Sequence, residues 1–268
     1  LHAAHLQPHP AQDKVKKVAV LSYANVGNFG DRLGMHLLSS ILPSNITLER
    51  LHYRPWQAAQ EEYDLLILGI GNSVFGSLMH EGVLELIRRS RASIGIFGTQ
   101  YREEFSADRM RMLVSHLDYW FARYADDLER YAVPGTHCRH LGDWLIREFV
   151  PTHGTSNEVL SIGNEIWNEL PLDRTIQNIQ SHRKVHSSRL HPLLCALTSA
   201  EEVSYREQRE SGSGRPSGKF HSMLRDVFGR VYAEDAFWPV DRQAVCAYRE
   251  QVRRNIRALE TAVAYCLA

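Results

Sequence analysis

From Val15 onward, apolar residues fall in short continuous runs, each closed by Gly or Asn and followed by a stretch with helical spacing. The β-branched run KVAVLSY (17–23) predicts a buried strand, and DRLGMHLLSSIL (31–42) behind it an amphipathic helix. DLLILGIG (64–71) and GVLELIRRS (82–90) repeat the pair. ASIGIFG (92–98) and SADRMRMLVSHL (106–117) repeat it again, with Ser106 placed to cap the helix. DYWFARY (118–124) and CRHLGDWLI (138–146) predict two more strands around the helical ADDLERYA (125–132). Alternation of this kind predicts a parallel sheet covered on both faces.

At VPTHGTSN (150–157) polarity rises and the rhythm breaks, which marks a domain boundary. The pattern then returns in compressed form: strand EVLSIG, helix DRTIQNIQSH, strand KVHSS, helix PLLCALTS and strand EEVSYRE, followed by the flexible loop SGSGRPSG (211–218). From Asp241, the residues Val245, Tyr248, Val252, Ile256, Leu259 and Val263 recur at three- and four-residue steps. They predict a long helix packed back on its own chain. The expected architecture is α/β, with two Rossmann-like βα halves. A mobile tail over 1–14 precedes an N-terminal domain over 15–150. A shortened C-terminal domain over 151–268 ends in the long helix.

Composition narrows the function classes. Lys plus Arg and Asp plus Glu both number 31 in 268 residues, so no overall field draws the chain to nucleic acid. The cysteines Cys138, Cys195, Cys246 and Cys266 form no CxxC pair and no zinc spacing, which fits small core residues in a reducing compartment. No run approaches the ~20 apolar residues of a membrane span. The opening LHAAHLQPHPAQDK reads as neither a signal peptide nor a basic anchor, and its histidines as a tail rather than a metal tract. A cytoplasmic protein with no obligatory metal is expected.

Two glycine stretches fail as nucleotide motifs. In GIGNSVFG the third glycine comes two residues too late for a dinucleotide fingerprint. In GSGRPSGKF the glycine spacing is one residue too long for a phosphate loop, and Phe220 replaces the metal-binding hydroxyl. Four strand-to-helix corners are better candidates, because ligands of open α/β sheets bind beyond the carboxyl ends of strands. They are Asn25, Asn28, Gly30 and Asp31; Asn72 and Ser73; Thr99, Gln100 and Arg102; and SSRLHP (187–192). Each has a plain structural reading: Asp31 as cap of a helix starting at Arg32, Asn28 and Gly30 as a left-handed turn, Asn72 and Ser73 as loop formers. The fourth corner is harder to set aside. Pro192 suits a first helical position, so His191 falls at an N-cap, and Arg189 adds a bidentate fork suited to phosphate or carboxylate. His191 titrates near neutral pH and is able to pass a proton to an anion held there.

In these residues the chain resembles the polysaccharide pyruvyl transferases. The family's Ser-x-Arg-x-His motif ahead of an apolar helix is matched by Ser187, Arg189 and His191, and its Asn-x-Gly-Asp motif by Asn28, Gly30 and Asp31. GIGNSVFG matches a glycine-rich strand end, Arg123 in FARYADDLERY a strand–Arg–helix segment, and Asp143 in HLGD a later acid. The resemblance runs from about Val18 to Tyr205 and implies a fold similar to the GT-B arrangement, two Rossmann-like domains facing a cleft. The segment between Glu158 and Lys184 is shorter than in the family, and TSAEEVSYRE replaces its glycine-proline turn.

The resemblance implies transfer of a pyruvyl group from phosphoenolpyruvate, with no cofactor, to a sugar or lipid-linked oligosaccharide as a ketal. The location it implies is cytoplasmic, with peripheral contact at the inner membrane face. In that scheme His191 and Asp31 are catalytic. Arg189, Ser187 and Arg123 bind the donor, and Asn28, Gly30, Asn72 and Ser73 line the acceptor cleft. Two other classes fit the same pattern: a GT-B glycosyltransferase using a nucleotide-sugar, and a non-catalytic relative acting as a scaffold.

Overall fold

The computed structural model describes residues 15–22, 28–52, 62–74, 81–163 and 170–268; the expected tail over 1–14 and Asn25 lie outside them. Six parallel strands form the first sheet: β1 (Lys16–Ser22), β2 (Ile46–His52), β3 (Leu65–Val74), β4 (Ser93–Thr99), β5 (Tyr119–Ala122) and β6 (His137–His140). Their order is β2-β1-β3-β4-β5-β6. Alternation along β1 sends Val18 and Val20 into one apolar cluster and Ala19 and Leu21 into another, so both faces of the sheet are buried. Helix α1 (Phe29–Ile41) covers the first face through Phe29, Leu33, Leu37 and Leu38. Helices α2 (Glu81–Arg89) and α3 (Ala107–Ser115) cover the second, joined there by Tyr131 of α4 (Ala125–Tyr131).

The strand order reverses at β1. The chain steps outward to β2 and then back across β1 to β3, leaving a crevice beyond the carboxyl ends of β1 and β3. This is the topological switch point, where such sheets bind ligands.

The second sheet has the order β10-β9-β8-β7. Its strands are β7 (Ser156–Ile162), β8 (His182–Ser187), β9 (Glu202–Tyr205) and the short antiparallel β10 (Trp238–Pro239). Val185 and Val203 face α5 (Leu172–Gln180) and α6 (Leu190–Ala196) and continue the first apolar cluster without a break. Helix α7 (Lys219–Phe228) adds Phe220, Met223 and Leu224 to it. The other face of β7 and β8 stays open, with Val159 54% exposed. The fold is therefore α/β in two unequal halves, closed by a long terminal helix α8 (Arg242–Leu267). The stripe from Val245 to Val263 is buried against the chain's own core. Among the described residues, no helix is long and apolar enough to cross a membrane.

Four local expectations change. CRHLGDWLI stops being a strand at His140, because Gly142 at φ +82° turns the chain into a 3-10 turn over Trp144–Glu148. Helix α1 starts at Phe29 with Asn28 as its extended N-cap, so Asp31 lies inside the first turn and is not the cap. Gly30 is helical, not left-handed. Helix α6 begins at Leu190 with Arg189 as N-cap, which carries His191 one residue into the helix.

Candidate functional site

Arg123, directly after β5, is the hub of the crevice and is only 2% exposed. Its Nε donates to Asp143 Oδ2 at 2.9 Å, its Nη1 to the Gly71 carbonyl at 2.7 Å, and its Nη2 reaches His191 Nε2 at 3.1 Å. Asp143 is equally buried, so the ion pair must repay the desolvation of both partners; removing one partner from such a pair costs about 3–5 kcal/mol. The pair therefore holds structure together. Burial alone would raise the Asp143 carboxyl, but Arg123 and His191 hold it below the ordinary carboxylate range. The backbone N–H of Asp143 donates to Tyr248 Oη at 2.6 Å, which ties the acid to α8.

The Gly71 carbonyl is presented by an irregularity in β3, whose register with β4 shifts between Leu68 and Asn72. Gly71 sits at φ +92°, and a Cβ there would meet Trp144 Nε1 at 2.4 Å. This glycine thus serves a bulge that aims a carbonyl at Arg123, not a dinucleotide turn. The strand continues through Asn72 and Ser73 to Val74, so those two residues are paired with Phe97 and Gly98 and not in a loop.

His191 comes from the other half. Its Nε2 lies 3.5 Å from Asp143 Oδ2 as well as 3.1 Å from Arg123. A guanidinium has no acceptor, so in the contact with Arg123 the imidazole Nε2 supplies the lone pair and the neutral ring carries its proton on Nδ1. Burial pulls the His191 pKa below the ordinary imidazole range; Arg123 adds to the fall and Asp143 opposes it. Nδ1 faces Gly30 so closely that a Cβ on Gly30 would lie 1.8 Å from it. Two motifs far apart in sequence, Asn-x-Gly-Asp and Ser-x-Arg-x-His, meet at this contact.

Asp31 is 8% exposed beside the same contact. Its backbone N–H donates to Asn28 Oδ1 at 3.0 Å, and Asn28 Nδ2 returns a bond to Asp31 Oδ2. Burial raises its carboxyl to about 7, against the pull of Asn28, Lys219 and Arg123. Arg189 is half-buried at the mouth of α6, within electrostatic reach of Tyr101 and Lys219. Ser187 is fully buried and spends its hydroxyl on the corner itself, accepting from the Arg189 N–H at 3.0 Å and donating to the Arg189 carbonyl at 2.8 Å. It shapes the turn that aims Arg189.

The third corner is used for structure. Thr99 binds Asp127 through both N–H (2.7 Å) and hydroxyl (2.5 Å). Arg102 grips Asp126 and Asp127, and Ser222 of α7 joins Asp126 at 3.0 Å. This network pins α7, which brings in two residues that the sequence reading missed. Lys219 opens that helix and bonds Gln208 Oε1. Glu207, 3% exposed, accepts from the Ser217 hydroxyl at 2.5 Å. Burial depresses the Lys219 ammonium to about 7; Arg123 and Arg189 push the same way, and Glu207 and Asp31 oppose. The available signal was a lone lysine at the start of a helix after the rejected glycine loop. Among the described residues, no cluster of His, Cys, Asp or Glu could hold a metal ion.

No protein-family model matches the chain, and no curated protein matches it. Solved structures do, among them the crystal structure of a functionally uncharacterised protein from Klebsiella pneumoniae subsp. pneumoniae NTUH-K2044. It is 14% identical, with a TM-score of 0.47 over 78% of this chain and 87% of that one.

Proposed function

We propose that the crevice is the active site of a phosphoenolpyruvate-dependent pyruvyl transferase acting on a sugar or lipid-linked oligosaccharide. The observation that carries this reading is the Arg123–His191–Asp143 cluster, set against Gly30 and Asp31 at the switch point. It sets a titratable imidazole and a carboxyl with a pKa near neutrality beside the Arg123–Asp143 pair, with Arg189 at the start of α6 as the candidate clamp for an anionic donor. It needs no cofactor.

In the reaction, the donor's methylene carbon takes a proton from His191, leaving a cationic centre at C2 that a sugar hydroxyl attacks. Asp31, raised to about 7, is matched to accept the hydroxyl proton at neutral pH. A second hydroxyl then displaces phosphate, which leaves with that hydroxyl's proton, and the ketal closes. Arg189 supplies the fork for the donor's carboxylate or phosphate. Resting His191 is neutral, and a bound polyanion raises its proton affinity, so the donor helps load its own acid. The reading carries a cytoplasmic location, with a lipid-linked acceptor met at the inner membrane face.

The test is phosphate release from phosphoenolpyruvate across a panel of sugar acceptors. Wild type releases phosphate only with an acceptor present, and His191→Ala lowers turnover by 100-fold or more, about the scale of general acid catalysis. Its Tm stays near wild type, because Arg123 keeps Asp143 and the Gly71 carbonyl. Wild-type turnover in His191→Ala removes the assigned acid. Thermal stabilisation by a nucleotide-sugar and not by phosphoenolpyruvate favours the glycosyltransferase class, and no response to any donor or acceptor favours a scaffold.

A further inference from the structure

Helix α8 turns its apolar stripe inward, and the surface it turns outward is basic. From Arg242 to Leu267 it carries five arginines and two glutamates, in a chain whose charges otherwise balance. Helical spacing sets Arg253, Arg254 and Arg257 away from the buried Val252, Ile256 and Leu259, and all three are exposed. Two flanks extend the patch. On one, Arg249 donates to the carbonyls of Ile146 at 3.3 Å and Arg147 at 3.1 Å, which sets half-buried Arg147 beside the helix. On the other, Asn255 donates to the Leu141 carbonyl at 3.3 Å, two residues from the exposed Arg139 of edge strand β6.

Counter-charge on this surface is thin. Arg147 lies 3.8 Å from Glu148 and 3.6 Å from Glu260, and Arg253 lies 3.8 Å from Glu250, all beyond hydrogen-bond length. Asp118, near the end of the helix, is spent on the N–H and hydroxyl of Ser93. Among the described residues, Arg139, Arg254 and Arg257 form no ion pair. Apolar side chains stand out at both ends of the patch. Val150 is 67% exposed beside Thr152, whose carbonyl binds Arg242 at 2.9 Å, and Tyr265 near the other end is 74% exposed. The outer face between them carries the small Cys246, Ala247 and Ala264, which allow close approach to a flat surface.

We propose that this face of α8 docks on an anionic lipid bilayer, its arginines meeting headgroup phosphates while Val150 and Tyr265 enter the interfacial layer. Such an interface offers negative charge and an apolar phase side by side, which is what the face presents a match for. A nucleic acid offers the charge but nothing for an exposed valine. The inference goes beyond the pyruvyl-transfer reading, which names a membrane face but no surface of the chain that meets it, and it does not depend on that chemistry.

Co-sedimentation of the full chain with vesicles tests it. Wild type binds vesicles of equal parts phosphatidylcholine and phosphatidylglycerol, and binds phosphatidylcholine alone at least about tenfold less. It is released as salt shortens the screening length from about 10 Å at 0.1 M to about 3 Å at 1 M. Each arginine near an anionic surface is worth about fivefold in partitioning, so Arg254→Gln with Arg257→Gln lowers binding about 30-fold. The Tm of that pair stays at wild type, because both side chains are exposed. The same charge removed elsewhere, Arg91→Gln with Arg174→Gln, changes binding by less than about threefold. An equal fall in both pairs would assign binding to net charge and overturn the docking face. So would a wild type that binds neither vesicle, or one that prefers a DNA duplex to the anionic vesicles at the same salt. Vesicle binding without phosphate release from phosphoenolpyruvate leaves the face standing and counts against transfer; phosphate release without vesicle binding does the reverse.

Discussion

Gly30 puts local stability and the site in opposition. Alanine is the better helix former by about 1 kcal/mol, so propensity alone predicts a gain from Gly30→Ala. The added methyl would stand 1.8 Å from His191 Nδ1, and the ring has to move. A displacement of that order at a proton donor costs about 100-fold in rate. Gly30→Ala is therefore expected to lose about 100-fold in phosphate release while its Tm moves by no more than a few degrees. Turnover matching wild type would show that His191 does not act from this pose. The motif residues were legible one by one in sequence; their meeting was not, because nothing local says that an imidazole 161 positions later needs the space beside Gly30.

At the scale of elements, α8 reaches the site through one hydroxyl. Tyr248 belongs to a stripe whose spacing declares only that it is buried, and its oxygen accepts the Asp143 N–H at 2.6 Å. Tyr248→Phe leaves that N–H unsatisfied, at a cost of about 1–3 kcal/mol. If Tyr248 positions Asp143, the loss also weakens the carboxylate's hold on protonated His191. In the proposed reaction the rate requires that protonated form, so its decline with rising pH begins at lower pH in the variant. A lower Tm with an unshifted pH profile would make Tyr248 purely structural. Strands with unbroken apolar runs, such as β1 and β4, were readable because burial on both faces leaves no polar interruption. β2 was missed because ITLERLH is a half-exposed edge strand, and α7 because KFHSMLRDVF follows a loop that draws attention to its glycines. Lys219 was lost with it.

At the scale of the whole molecule, one apolar cluster runs from Val18 and Ile67 of the first sheet through Trp144 to Val185 and Val203 of the second, and α8 lies along it. Among the described residues that cluster is continuous across both halves. Calorimetry is therefore expected to give one unfolding transition with equal calorimetric and van't Hoff enthalpies. Two resolved transitions would mean that the halves are stable separately. The same continuity gives the contact between Arg123 and His191 a meaning beyond its proposed part in catalysis, since it joins residues from the two halves. His191 cannot hold a second proton while Arg123 donates to its Nε2, so the protonated ring must turn that atom to Asp143 Oδ2, now 3.5 Å away. The imidazole is in effect a two-position latch, and proton uptake exchanges one partner for the other. Nitrogen-15 spectra should record the exchange: Nε2 pyridine-like in the unliganded protein at neutral pH, the reverse of the tautomer free histidine prefers, and pyrrole-like once an anionic donor fills the crevice.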